Sequence, residues 1–268
     1  MRKLLFSILL MLMVPMVAGA QEPYAVLSDD FSVLTFYYDD QKAERNGMDV
    51  GPFSSYKSSG WYEQSENITS VVFDDSFAGC TTLTSTAFWF YGFRNLSSII
   101  GISNLKTDNV RNMAQMFFGC SSLTSLDVTG FKTDNLTWMD GMFYGCSGLT
   151  SLDLFGFKTD NVTDMSFMFR GCSGLTSLDL SGFKTDKLWY MDRMFAGCSG
   201  LTTIYVGDGW NTANVWSRAE DMFTDCTSLV GGDGTPFDAS HTNKTYAHID
   251  GGSDNPGYFT AKAGGNGE

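Results

Sequence analysis

Hydrophobic and polar positions recur along the middle of the chain with a period of 26 residues. Segments 77–80 and 92–110 carry the same pattern in degraded form, so we count about six repeats, more than the three that a stack of repeats needs. The period is marked by Met-Phe pairs that begin at Met116, Met142, Met168 and Met194 and, 28 residues later, at Met222. Such a period is typical of proteins whose repeats stack and share one core.

Each repeat divides into two halves. Leu178 and Leu180 have the two-residue spacing of a short strand with one buried face. The second half carries one apolar stripe when it is drawn as a helix, formed by Val162, Met165, Met168, Phe169 and Cys172. This stripe predicts a short helix, which Thr159 or Asp160 would cap. The pattern therefore predicts an α/β leucine-rich-repeat solenoid, with parallel strands on one side and short helices on the other.

An open stack exposes its core at both ends, so caps are expected there. Alternation over residues 24–39 predicts two strands around a turn at 28–30, and residues 245–249 form a candidate capping strand. The expected segments are a signal peptide (1–20), an N-terminal hairpin and cap (21–72), the repeats (73–230), and a C-terminal cap and tail (231–268).

The N-terminus has the pattern of a secretory signal. Arg2 and Lys3 precede an apolar run over residues 4–17, and residues 18–20 form a small-x-small cleavage site. The run is shorter than the about 20 apolar residues that a membrane-spanning helix needs. We therefore expect cleavage near Ala20, a secreted, extracellular or cell-surface location, and no transmembrane segment in the mature chain.

Six cysteines in an exported protein would ordinarily suggest disulfides. They occupy the same place in successive repeats: Cys80, Cys120, Cys146, Cys172, Cys198 and Cys226. Stacked neighbours point the same way, which does not suit disulfide geometry. We expect buried free thiols rather than disulfides or a metal site, and we expect the two methionine columns to fill the core.

The repeat resembles that of a known protein family. The unit LTSLDLFGFKTDNVTDMSFMFRGCSG, residues 149–174, is similar to the BspA-like (DUF285-type) leucine-rich repeat. The opening segment 24–39 and the closing segment 210–260 look like the ends of such proteins. The resemblance implies a bacterial surface or secreted protein, and characterised members are associated with attachment to host proteins and cells. It therefore implies a protein ligand, with host extracellular-matrix proteins among the candidates.

Composition narrows the function further. The formal net charge of −13 disfavours binding to phosphate backbones, so no nucleic-acid partner is expected. The two histidines, His241 and His248, lie in the closing segment, and no nucleophile–base set is visible. We expect no enzyme activity, no cofactor and no metal. Glycan binding and self-association into a structural matrix stay open as alternatives to protein binding.

Aromatic departures from the repeat give the first candidate binding surface. On the helical wheel they face outward or lie at the stripe's edge, and they are Phe118, Trp138, Tyr144, Phe167, Trp189 and Tyr190. Such a patch suits protein or sugar binding, and the alternative is mutual stacking along the repeats. The second candidate is a carboxylate column on the strand side, Asp127, Asp153 and Asp179, which could equally be solvated polar residues.

Overall fold

The computed structural model describes residues 19–216 and 219–262. The predicted signal peptide lies outside these residues, apart from Gly19 and Ala20. Across the described ranges, no helix has the length and apolar character to cross a membrane.

The described residues form eight strands: β1 (Glu22–Leu27), β2 (Val33–Asp39), β3 (Met48–Asp49), β4 (Ser70–Phe73), β5 (Ser98–Ile100), β6 (Ser177–Leu180), β7 (Thr203–Val206) and β8 (Phe259–Ala261). These strands form two sheets, with the orders β3-β1-β2-β4-β5 and β6-β7-β8. β1 and β2 form the predicted antiparallel hairpin. From β2 through β4 to β5, and from β6 through β7 to β8, pairing is parallel.

The predicted short helix of each repeat is wrong. Helical segments in the described residues are short 3-10 turns in the caps and the first repeats: Tyr56–Ser58, Tyr62–Gln64, Asp75–Gly79, Ile102–Asn104, Lys244–Tyr246 and Gly252–Asp254. In the regular repeats the segment that carries the Met-Phe pair forms consecutive turns instead.

Hydrogen bonding explains why turns replace the helix. The Met168 amide donates within its own repeat to the Met165 carbonyl (3.2 Å), whereas the next amide, Phe169, donates to Met194 of the following repeat (2.9 Å). Phe167 has a φ of 60°, in the left-handed region that an α-helix excludes. Because alternate amides bond to the neighbouring repeat, these turns join the repeats, which a helix that satisfies its own amides could not do.

Two further sequence predictions differ from the structure. The predicted helix cap Thr159 instead bridges repeats, because its hydroxyl donates to the Lys184 carbonyl (2.9 Å) and accepts from the Lys184 amide (2.7 Å). The capping strand expected at 245–249 begins as a 3-10 turn, and Ile249 makes only a single bridge to Phe259. β8 is the strand that covers β7 at this end.

The core is built of identical side chains in columns. Phenylalanine rings stack from Phe117 to Phe223 with centroids 5.7–5.9 Å apart. The two methionine columns are fully buried, as predicted. The six cysteines are buried and free, also as predicted.

Gly171 has a φ of +74°, and a Cβ added to it would lie 3.5 Å from the Gly145 Cα. A glycine at this place therefore provides both the turn conformation and the close approach of repeats.

Candidate binding surface

Four aromatic rings on one edge of the stack cover one another. Neighbouring centroids are 4.4 Å apart for Tyr56 and Tyr91, 4.5 Å for Tyr91 and Phe118, and 4.2 Å for Phe118 and Tyr144. The guanidinium of Arg170 lies 5.4 Å from the Tyr144 ring centroid. We call these four rings (Tyr56, Tyr91, Phe118, Tyr144) the aromatic column. Phe118 and Tyr144 stack on each other within it, which is the alternative to ligand binding that the sequence left open.

A small charged hollow lies beyond Arg170. It forms because the next repeat has the small side chain of Ala196 at the position that Tyr144 and Arg170 occupy in their own repeats. Its volume is about 370 Å³, and the ion pair between Arg193 and Asp221 (3.0 Å) lies in its wall. Phe167 is half-buried on the other side of Arg170, with its ring centroid 5.9 Å from the guanidinium. This edge therefore presents packed rings and a paired charge rather than free aromatic faces.

Two tryptophans occupy the same position in adjacent repeats. The Thr163 carbonyl accepts from the Trp189 amide, and the Trp189 carbonyl accepts from the Trp216 amide, both at 2.9 Å. The residues just before them, Leu188 and Val215, are buried in the core. Since each backbone is anchored by its buried neighbour, both indoles are directed outward.

These indoles form one cleft with the adjacent Tyr190. The exposed fractions are 54% for Trp189, 42% for Tyr190 and 89% for Trp216. The cleft has a volume of about 600 Å³ and is lined by Thr163, Asp186, Lys187, Trp189, Tyr190, Ala213, Asn214 and Trp216. We call this set the tryptophan cleft.

Hydrogen bonds hold the polar rim of the tryptophan cleft in place. The Asn214 side-chain amide donates to the Asp186 carbonyl (2.7 Å), and that of Asn211 donates to Asp186 Oδ1 (2.8 Å). Lys187 Nζ donates to Asn161 Oδ1 (2.8 Å). The rim therefore presents a carboxylate, an ammonium group and an amide oxygen in fixed positions beside the rings.

Trp138 lies on the same side of the stack but outside the cleft. Single parallel bridges join Trp138 to Asp164 and Asp164 to Tyr190, so Trp138 and Tyr190 are two repeats apart. Trp138 is 46% exposed. Burial raises the pKa of the Asp164 carboxyl between them, against hydrogen bonds from Ser166 that lower it. Trp138, Trp189 and Tyr190 are thus the predicted site residues whose rings face solvent.

The carboxylates of the alternative face take part in local turns. Asp127 Oδ1 accepts from the Thr129 amide (3.0 Å) and hydroxyl (2.6 Å), which lowers the pKa of Asp127. Asp153 Oδ1 accepts from the amide of Phe155 (2.9 Å). Asp179 forms an ion pair with Lys262 from the C-terminal cap. Turn formation and this ion pair explain why an aspartate recurs at this position, so the carboxylate column needs no ligand to explain it.

A serine, a histidine and an aspartate meet in the closing segment, but they do not have the arrangement of a catalytic triad. Ser240 Oγ (3.2 Å) and Asp238 Oδ2 (3.1 Å) both approach the same ring nitrogen, Nδ1 of His241. A triad needs the nucleophile and the orienting carboxylate on opposite nitrogens. Ser240 Oγ also donates to Asp238 Oδ1 (2.7 Å), which is a local turn contact.

Sequence reasoning overlooked Trp216 and the first rings of the aromatic column. Aligning the repeats places Trp216 at the position of Trp189, and Tyr91 at that of Phe118. The alignment of Trp216 is obscured because its repeat is longer than 26 residues. The sequence therefore contained the pattern that reveals Trp216, in a repeat whose length differs from the others.

Comparison with known proteins identifies the repeats. A family model described as "Mycoplasma protein of unknown function, DUF285" matches residues 76–155 and 150–233, together more than half of the chain. A search of curated proteins finds no match.

Two solved structures are similar to this chain. One is a leucine-rich cell surface protein from Faecalibacterium prausnitzii A2-165, with 19% identity over 70% of this chain and 54% of that one, at a TM-score of 0.30. The other is a leucine-rich-repeat protein from Bacteroides ovatus ATCC 8483, with 15% identity over 78% and 80% of the two chains, at a TM-score of 0.21. This chain thus spans about half the length of the Faecalibacterium protein. The match to the family model carries the assignment: the chain belongs to the DUF285 family, as the resemblance of its repeats to BspA-like leucine-rich repeats indicated.

Proposed function

We propose that this chain is a non-catalytic binding protein of the bacterial surface or its surroundings, and that its ligand docks on the tryptophan cleft. In this proposal the repeats form one continuous solenoid, which acts as a rigid support. The observation that carries the proposal is the convergence of Trp189, Tyr190 and Trp216, all exposed, on one cleft of about 600 Å³.

Physical reasoning supports this surface over the others. Exposed aromatic rings gain free energy when a ligand removes them from water, and tryptophan and tyrosine dominate binding energetics at interfaces. The rings of the aromatic column already cover one another, so they have less surface to offer. The backbone of the cleft is fixed by bonds between repeats, which lowers the entropy lost on binding.

A binding screen tests the proposal. The purified protein is applied to immobilised extracellular-matrix proteins and to a glycan array, beside the double variant Trp189→Ala/Trp216→Ala. Truncating a central aromatic residue commonly costs at least about 2 kcal/mol, roughly thirtyfold in affinity. We expect a loss of at least that size for any ligand bound by the cleft.

Phe155→Ala is the matched control, because Phe155 is also an exposed aromatic residue (74%) and lies outside the cleft. Circular dichroism verifies that each variant is folded. Equal binding by the double variant and the native protein would refute the cleft as the site. Turnover of a presented ligand by the purified protein would refute the non-catalytic role.

A further inference from the structure

We propose that the tryptophan cleft binds a neutral, linear polysaccharide whose sugar rings stack on Trp189 and Trp216. This inference rests on the binding role proposed above and assigns its ligand class.

The two indoles have flat apolar faces that are available to a ligand. Trp216 is 89% exposed and Trp189 is 54% exposed. The faces of aromatic rings carry partial negative charge, which attracts the polarised C–H bonds on one side of a pyranose ring. A sugar can therefore cover an indole without losing the hydration of its hydroxyl groups, which point along the ring's edge.

The rim of the tryptophan cleft offers hydrogen-bonding partners where those hydroxyl groups would lie. Asp186 uses Oδ1 to accept from Asn211, and among the described residues its Oδ2 accepts no hydrogen bond. Lys187 uses one of its three N–H donors on Asn161, which leaves two. The Asn214 amide nitrogen is engaged, and its oxygen faces no partner in the described ranges. These groups are pre-oriented, and each retains capacity for a ligand.

This rim suits a hydroxyl-rich ligand. Burying a charged group against an apolar surface costs free energy unless the group stays hydrogen-bonded. Here exposed Asp186 and Lys187 stand directly beside the indoles. A hydroxyl-rich ligand can bond to both groups without removing either from a polar environment.

Charge selects a neutral polymer. The rim contains one carboxylate and one ammonium group, so its formal charges cancel and it has no net attraction for an anion. The chain as a whole carries a formal charge of −13, which repels polyanions at low salt. Anionic polysaccharides are therefore disfavoured.

The repeat spacing favours a chain over a single sugar. Parallel strands generally lie about 4.8 Å apart, and equivalent phenylalanine rings in neighbouring repeats of this protein lie 5.7–5.9 Å apart, a spacing similar to the advance of one pyranose ring along an extended polysaccharide. Trp189 and Trp216 occupy neighbouring repeats, so each indole can face a different sugar. A second cleft, of about 550 Å³, shares Ala213 with the tryptophan cleft and has Trp210 among its lining residues.

Native gel electrophoresis tests the inference with defined probes. The purified protein is run through gels that contain hydroxyethyl cellulose, mixed-linkage β-glucan, galactomannan or α-glucan, with hyaluronan as the anionic probe. We expect at least one neutral polymer to retard the protein and hyaluronan to leave it unretarded. Trp189→Ala and Trp216→Ala should each weaken the retardation about tenfold or more, whereas Phe155→Ala should retain it.

A second measurement needs no variant. The retarding polymer should protect Trp189 and Trp216 of the native protein from quenching by acrylamide. Trp138, exposed outside the cleft, should stay open to the quencher, and the buried Trp61 and Trp89 should remain protected throughout. Absence of retardation by every neutral polymer would overturn the inference, as would retardation that both tryptophan variants retain. If matrix proteins bind through the cleft while no polysaccharide does, the ligand class is wrong and the proposed binding function stands. If neither kind of ligand binds, both proposals fail.

Discussion

The cysteine column allows a sharp test of the packing, because six free thiols should react with a thiol reagent unless they are buried. The test treats the native protein at pH 8 with an aromatic disulfide reagent and counts the labelled thiols by mass. The six side chains have no measurable exposure. The Cys146 and Cys172 thiols donate to the carbonyls of Phe117 (3.1 Å) and Phe143 (3.0 Å).

The structure sets the size of the effect. Burial raises the pKa of Cys146 and Cys172 well above the usual thiol value, and the neighbouring cysteines raise it further. If labelling requires unfolding, a stability of at least about 5 kcal/mol slows it by about three orders of magnitude or more relative to the denatured chain. We therefore expect no labelling on the time scale that modifies all six thiols in guanidinium chloride.

Cys80 should be the exception to this uniform protection. It lies in the first repeat, and its sulfur is 3.9 Å from the Thr82 hydroxyl rather than bonded to a backbone carbonyl. We expect Cys80 to react first, and Cys80→Ser to remove that early signal without changing the rest. Labelling of several thiols at the denatured rate, or a mass that shows a disulfide between neighbours in the column, would refute the packing.

Three further predictions test other parts of the structure. In Gly174→Ala the new Cβ would lie 2.5 Å from the Ser147 carbonyl oxygen, so we expect chemical denaturation to show a loss of about 2–3 kcal/mol in the free energy of unfolding. Gly130 has open space around it, so the control Gly130→Ala should change that free energy by less than about 0.5 kcal/mol. Burial raises the pKa of Asp250, but hydrogen bonds led by those from Thr235 outweigh it and lower the value to about 2. This pKa is below the value of about 4 for an aspartate in an unfolded chain, so ionised Asp250 stabilises the fold above pH 4 and this stabilisation is lost as the pH falls toward 2. Asp250→Asn should therefore flatten the dependence of the melting temperature on pH between about 4 and 2. Tyr144→Ala should lower stability by about 1–2 kcal/mol in thermal unfolding through lost stacking and leave ligand affinity unchanged, and a loss of affinity would instead place the aromatic column in the site.

The sequence was sufficient to predict the stacking of repeats, the buried methionine and cysteine columns and the opening hairpin. These features depend on which side chains recur, and recurrence is visible in one sequence. The helix prediction failed because turns that bond three residues back place apolar side chains at nearly the same spacing as a helix. The left-handed conformation of Phe167, a non-glycine residue, has no sequence signal that would have separated the two.

The candidate site could be predicted only in part. Trp189 and Tyr190 break the repeat pattern with large aromatic side chains, so they stand out in the sequence. The stacking of Phe118 on Tyr144 depends on side-chain direction between repeats, which residue types do not specify. Trp216 could have been found by aligning a repeat of unequal length, and the polar rim depends on contacts between Asn211, Asn214 and Asp186 that only the folded chain reveals.

The most direct test of the central claim is the nuclear magnetic resonance spectrum of the indole N–H groups. The chain contains six tryptophans, and single substitutions to phenylalanine assign their signals. On addition of the ligand identified in the binding screen, we expect the signals of Trp189 and Trp216 to shift and those of the buried Trp61 and Trp89 to stay unchanged. A ligand that binds and leaves the Trp189 and Trp216 signals unchanged would contradict the assignment of the tryptophan cleft as the binding surface.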